Sequence, residues 1–191
     1  MASTIKGTAV KPNLEWMRQT YGEAVWDEIL ARLTDEERSQ VAFISGANSY
    51  PVTLLSAVNT AFVDVVCHGN RTAAGEAFRK LGRHIAEDNL SGIYSIFIRF
   101  ASPEKVLGKI PSIVSTMYTG VTADHEDSPD GHGSIVHIRG LGELTYAGPR
   151  LCGWAEAALE KVGARGVRVA EKSWDAGLIA SDELTLVLSW E

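Results

Sequence analysis

The sequence predicts an α+β fold, an N-terminal helical bundle packed with a small, largely antiparallel four-stranded sheet. Three observations carry this reading. Apolar residues recur at three- and four-residue steps through roughly the first 119 positions, the spacing of a helix face. After Gly120 the spacing drops to two, the period of a strand. The later segments then run hairpin, helix, hairpin, an order that pairs strands antiparallel and lays helices against them. One domain over 1–191 is expected, with 1–119 mainly helical and 120–191 a sheet with one inserted helix.

Taken in order, residues 1–12 read as an arm or short strand, and Pro12 opens the first helix. Leu14, Met17, Tyr21, Val25, Ile29 and Leu33 form its stripe, with Trp16 and Trp26 beside it and Gly22 dividing it in two. Thr34 and Glu37 make a Thr-x-x-Glu capping box, whose hydroxyl and carboxylate satisfy orphan amides at a helix start. A short helix through Val41 and Ile44 follows. After the loop 46–49, Tyr50-Pro51 starts a long apolar helix through Leu54, Leu55, Val58, Phe62 and Val65, ending near His68-Gly69-Asn70. A further helix covers 72–88. Leu90, Ile93, Tyr94, Phe97 and Phe100 mark one face of another. Ser102-Pro103 starts the helical segment 103–118.

Beyond Gly120, strands are expected at 121–126 and 134–139 around the polar turn 127–133. Glu143-Leu144-Thr145-Tyr146 continues this hairpin or adds a strand. A helix over 150–162 ends at Gly163. The last two strands, 166–173 and 183–190, carry Val167, Val169, Leu184, Leu186 and Leu188 on alternating positions.

The composition sets outer bounds. An apolar fraction of 45% and a charged fraction of 22% are those of an ordinary globular chain. The net charge of -6 argues against a nucleic-acid or anionic-membrane surface. Two cysteines far apart, Cys67 and Cys152, are not a disulfide framework and read as buried small hydrophobes. The first residues lack a signal-peptide core, and no apolar run reaches the roughly 18 residues of a membrane span. A cytoplasmic protein is expected.

Several segments resemble the heme-nitric-oxide/oxygen-binding (H-NOX) domains and their vinyl-reductase-like and TRAPP-type relatives. The run from Tyr21 through Trp26 to Leu30 looks like the start of that family's second helix. Ser49-Tyr50-Pro51 resembles the loop before its long helix. Leu144-Thr145-Tyr146-Ala147-Gly148-Pro149-Arg150, followed by Leu151-Cys152-Gly153-Trp154, resembles the stretch with the Tyr-x-Ser-x-Arg signature. The resemblance implies that Tyr146 and Arg150 stand where the family clamps its heme propionates, guanidinium and hydroxyl donating to carboxylate. Gly148 replaces the serine, so one clamp is missing. Read without the family, Tyr146 is a strand tyrosine and Arg150 a surface arginine at a helix start.

The resemblance also implies an axial histidine on the helix before the sheet, since an iron centre that senses gas is held by one protein ligand. By spacing to Gly120, Pro111 falls on that position, and no histidine lies between His84 and His125. Neither heme nor any other cofactor is expected. A nearer similarity, through Leu81–Leu90, Ile93-Tyr94, Ser102–Leu107, Lys6-Gly7-Thr8 and Leu188-Ser189-Trp190, is to a heme-free family of unknown function abundant in myxobacteria.

Other chemistry is sparse. Asp124, His125, Glu126, Asp127, Asp130, His132 and His137 crowd one hairpin and carry ligand types that zinc accepts, but the turn is solvated and no metal site is assigned. His84 reads as a helix histidine, and His68 as a complement to a helix C-terminus. No phosphate loop, nucleophile elbow or acid–base pair is present, so an enzyme is not expected. Two functions remain. One is a heme-free bacterial sensory module holding an apolar small molecule, with Phe97, Phe100, Pro111, Met117, Tyr118, Tyr146 and Arg150 as pocket residues and a signalling protein as partner. The other is a homodimeric interaction scaffold with a filled core. In that reading Val52, Leu55, Val58, Asn59 and Phe62 form the isologous face.

Overall fold

The computed structural model describes residues 3–91, 101–128, 131–142, 144–172 and 183–191. Phe97 and Phe100 lie outside this range. The described residues fold as an α+β unit with two small antiparallel sheets. β1 (Thr4–Lys6) leads directly into α1 (Gly7–Tyr21), so Pro12 sits inside that helix and does not open it. The ring removes one helical hydrogen bond to the carbonyl of Thr8. Gly22, at φ 85, separates α1 from α2 (Glu23–Leu30). Only a glycine turns there without strain. α3 (Asp35–Ala42) begins on the capping box: Glu37 N–H donates to Thr34 Oγ1 at 3.2 Å, and Thr34 N–H donates to Glu37 Oε2 at 2.9 Å.

Pro51 ends β2 (Ser49–Pro51), and α4 (Val52–Val66) follows. α5 (Arg71–Ser91) is the longest helix described. The expected helix 103–118 is broken at Gly108-Lys109 into α6 (Pro103–Leu107) and α7 (Ile110–Met117). β3 (Tyr118–Thr119) then pairs with β1, completing a three-stranded sheet β2-β1-β3 that the sequence pattern did not announce. Strands of two or three residues are too short to display a period.

The second sheet has the expected four strands, β4 (Thr122–Asp127), β5 (Gly133–Arg139), β6 (Arg168–Glu171) and β7 (Glu183–Ser189), in the order β4-β5-β7-β6. Its buried face aligns Val136 with Leu186 and Ile138 with Leu184. The stretch Leu144–Tyr146 is neither strand nor ladder. Gly140 and Gly142, both at positive φ, end β5. Thr145 N–H then donates to Ser56 Oγ, and Thr145 O accepts from Asn59, which ties the segment to α4. α8 (Ala147–Lys161) follows at once, three residues earlier than its apolar pattern predicts.

The core runs through both layers. Trp16, Tyr21, Phe62, Phe78 and Tyr146 form a continuous aromatic chain, each ring 4.6–5.6 Å from the next. The proposed dimer face is corrected here. Val52, Leu55, Val58, Asn59 and Phe62 are all at most 4% exposed within the single chain. That face of α4 is already spent on the chain's own core, so it cannot seat a second copy.

Candidate functional site

The sheet face and four helices line a partly open cavity of about 140 Å³. Thr8, Ala9, Pro12 and Asn13 of α1 form one wall, and Gly82, Ile85 and Asn89 of α5 another. α7 contributes Ile110, Ile113, Val114 and Met117, a three- and four-residue spacing that puts all four on one helix face. Tyr118 continues that wall. α8 supplies Arg150, Leu151, Trp154 and Ala155, and the sheet supplies Val136, Ile138 and Leu186. Apart from a few polar groups, the wall is hydrocarbon and indole.

The polar groups converge. Arg150 is 6% exposed and Asn13 is 1% exposed. Arg150 donates from Nη1 to Asn13 Oδ1 at 2.8 Å and from Nη2 to Tyr118 Oη at 3.1 Å. Asn13 is held in turn by its Nδ2, which donates to Ala9 O at 2.6 Å. The guanidinium pairs with no carboxylate among the described residues.

Two glycines place this cluster. A Cβ at Gly82 would collide with the carbonyl of Arg150, and one at Gly153 with the carbonyl of Arg79. α5 and α8 therefore meet backbone to backbone, which draws Arg150 inward. Ion pairs lock the crossing outside the cavity. Arg79 forks onto Glu156 and also donates to Val169 O at 2.7 Å, and Arg83 pairs with Glu160 at 2.5 Å. Gly148 is less constrained, since a Cβ there would meet the end of the Glu171 side chain, which can move, rather than backbone. A serine there would require the Glu171 side chain to shift.

The pocket residues named from the sequence divide. Met117, Tyr118 and Arg150 line the cavity. Pro111 does not. It is the helix neighbour of Ile110, about 100° round the axis, and lies off the lining face. Tyr146 also stays outside. It adopts φ 56 and stacks on Phe78 with centroids 4.6 Å apart, its hydroxyl buried without a partner. Burial raises its pKa above the ordinary tyrosine value. Asn13 is the main contributor not anticipated. A polar residue on the buried stripe Val10, Asn13, Leu14, Met17 was the signal available.

The hairpin histidines do not converge. His125 pairs across the ladder with Val136 and His137 with Asp124, so their side chains leave opposite faces of the sheet. His137 Nδ1 lies 2.8 Å from Glu183 Oε1. Cys152 is buried, and burial pushes its thiol up to about 12, which keeps it protonated and unreactive.

Glu171, at the end of β6, is a half-buried carboxylate. Its Oε2 has no partner, and burial raises its pKa despite the nearby Arg79. Native Glu171 therefore holds its proton to higher pH than the unfolded chain does. Stability is lost as pH rises through the window above the ordinary carboxylate value, and is regained on acidification. Glu171→Gln is expected to stabilise the protein slightly at neutral pH, because it removes the charge that burial penalises. Urea melts should show that advantage shrinking toward pH 4. An advantage independent of pH would rule out the carboxylate as its source.

No family model matches this chain, and no curated protein matches it. Solved structures do. The Fe(II) unliganded H-NOX protein of K. algicida superposes with a TM-score of 0.72, covering 98% of this chain and 97% of that one at 10% identity. The S. oneidensis H-NOX protein in its Fe(II)NO state gives 0.67 at 13% identity, with 98% and 99% covered. The I5F mutant of T. tengcongensis H-NOX gives 0.65 at 13% identity, with 98% of each chain covered. The fold is H-NOX-like.

Within an H-NOX-like fold, the wall of this cavity offers little to a metal. Its described lining residues include no histidine and no cysteine. The donors present are amide, hydroxyl and guanidinium groups and the Met117 thioether. Among the described residues no group of three or more His, Cys, Asp or Glu stands ready to hold a metal ion. No described helix is long and apolar enough to cross a membrane.

Proposed function

We propose that this chain is a heme-free, non-enzymatic binding module whose cavity holds an apolar small molecule and whose ligand state is read by a partner protein in bacterial signalling. The observation that carries the reading is the cavity itself, which a scaffold with a filled core would lack. A volume of about 140 Å³ is close to that of the roughly 150 Å³ engineered cavity that binds benzene or xenon, so a molecule of that size fits. The donor set does not favour heme. No histidine or cysteine is among the described residues that line the cavity, and on α7 the Ile110, Ile113 and Val114 side chains there cannot ligate iron, which leaves the Met117 thioether and the Tyr118 hydroxyl as the soft or phenolic donors. Guanidinium and amide groups at one end supply nothing toward acid–base or nucleophilic chemistry, which favours binding over catalysis. With the α4 face buried, a signal would leave through another surface, in the cytoplasm and without contact to nucleic acid or membrane.

Two measurements test this. Protein purified from cells supplied with iron and heme precursor is expected to be colourless, and added hemin to produce no Soret shift. A Soret band that survives purification sinks the heme-free reading. Native mass spectrometry is expected to find a small molecule bound to the chain, or methyl resonances of Ile110, Val136 and Ile138 to shift when benzene or toluene is added. A ligand-free dimer with an unresponsive cavity supports the scaffold instead.

A further inference from the structure

Pro12 leaves a gap in the hydrogen-bond ladder of α1, and that gap lies on the cavity wall. In an unbroken helix the residue at position 12 donates its N–H to the carbonyl of Thr8, one turn back. Proline has no N–H, and its ring crowds that same carbonyl and turns it away from the helix axis. A backbone acceptor released in this way takes its hydrogen bond from water or from a ligand. Thr8 and Pro12 stand one turn apart on the same face of α1, and both line the cavity. The polar groups deeper along the wall are already engaged. Asn13 Oδ1 accepts from Arg150, Asn13 Nδ2 donates to Ala9 O, and Tyr118 Oη accepts from Arg150.

Resting on the proposed binding function, we infer that the ligand is a small neutral alcohol or phenol, whose hydroxyl donates to the Thr8 carbonyl while its hydrocarbon body lies against Ile85, Ile113, Met117 and Trp154. The two ends of such a molecule match the two kinds of wall. Thr8 is exposed and Ile85, Ile113, Met117 and Trp154 are half-buried, so the hydroxyl sits at the open side of the cavity and the apolar body points inward. At the opening, the hydroxyl oxygen keeps its own contact with water, so little of its hydration is lost. An ammonium group would also bring a donor, but Arg150 lies on the same wall only 6% exposed, and a second cation beside it is repelled. Ethers and ketones carry no donor and leave the Thr8 carbonyl unanswered. A long-chain alcohol exceeds the volume of about 140 Å³.

Titration of the full chain with phenol, anisole and toluene, in the parent and in Pro12→Ala, tests the inference. Alanine restores the N–H at position 12 and turns the Thr8 carbonyl back into the helix, and it is the better helix residue, so the variant should fold. Comparing the phenol-to-toluene affinity ratio between the two proteins cancels the hydration of the ligands themselves. That ratio is expected to fall about fivefold in Pro12→Ala, the scale of one neutral hydrogen bond. The anisole-to-toluene ratio should not change, because anisole has the oxygen without the donor. Thr8→Val keeps the backbone carbonyl and removes the side-chain hydroxyl, so its phenol-to-toluene ratio should equal that of the parent. An equal phenol-to-toluene ratio in the parent and Pro12→Ala overturns the carbonyl seat and leaves the binding function standing. A ratio that collapses in Thr8→Val overturns it in favour of the side chain. Anisole falling with phenol shows that the ligand oxygen accepts, and overturns the donor class. Failure of both phenol and toluene to bind overturns the inference together with the binding function.

Discussion

Gly153→Ala and Gly82→Ala are each expected to destabilise the protein by about 3 kcal/mol, the upper part of the usual cost of overpacking a close-packed core. The reason is specific to where the new methyl would go. At Gly153 it meets the backbone carbonyl of Arg79, and at Gly82 that of Arg150 and the amide of Trp154. Backbone cannot rotate away as a flexible side chain does, so α5 and α8 must separate along the crossing. In an exposed helix the same change is stabilising, because alanine is the better helix former by about 1 kcal/mol. The prediction is thus one of sign as well as size. Thermal unfolding should show Tm falling by about 6–12 °C for either variant, given about 2–4 °C per kcal/mol in a chain of this length. Gly75, on the same helix with open space around its Cβ position, is the control, and Gly75→Ala should leave Tm unchanged or raise it. A neutral Gly153→Ala would mean that the helices do not meet as closely as described.

Phe62→Ala is expected to cost about 3–5 kcal/mol, the range for deleting a fully buried aromatic ring. Phe62 is fully buried and touches three rings, with centroids 6.4 Å from Trp16, 5.3 Å from Tyr21 and 5.5 Å from Phe78. These neighbours come from two other helices, so the void cannot close by a local shift of α4. Denaturant titration should show a lower midpoint with an unchanged slope. Phe62 is absent from the cavity wall. Below the melting range, the response to toluene should therefore match that of the parent. A loss of binding without a loss of stability would contradict the separation between aromatic core and cavity.

Sequence alone determined the kinds of element and their order. Helical spacing before Gly120, alternation after it, the Thr34–Glu37 box and the Gly22 break are local signals, and each describes what its own segment does. The lack of an imidazole between His84 and His125 is likewise a property of the chain, and it holds even though Pro111 turned out to lie off the lining face. An arm or short strand was expected within residues 1–12, where β1 lies, but β2 and β3 escaped notice because two or three residues show no period.

Only the tertiary structure decided which faces meet. Periodicity marks an apolar stripe on α4 but not its partner, so the same residues read equally well as a dimer seam or as core, and packing made them core. It marks Arg150 as the start of a helix but not as buried. That burial depends on Gly82 and Gly153, which are remote in sequence and let two backbones touch. It places Tyr146 beside Arg150 in the chain. The left-handed turn at Tyr146 sends the tyrosine to Phe78 and the arginine to the cavity. A helix or strand forms through neighbours a few residues away, whereas a binding site is assembled from residues that only packing brings together.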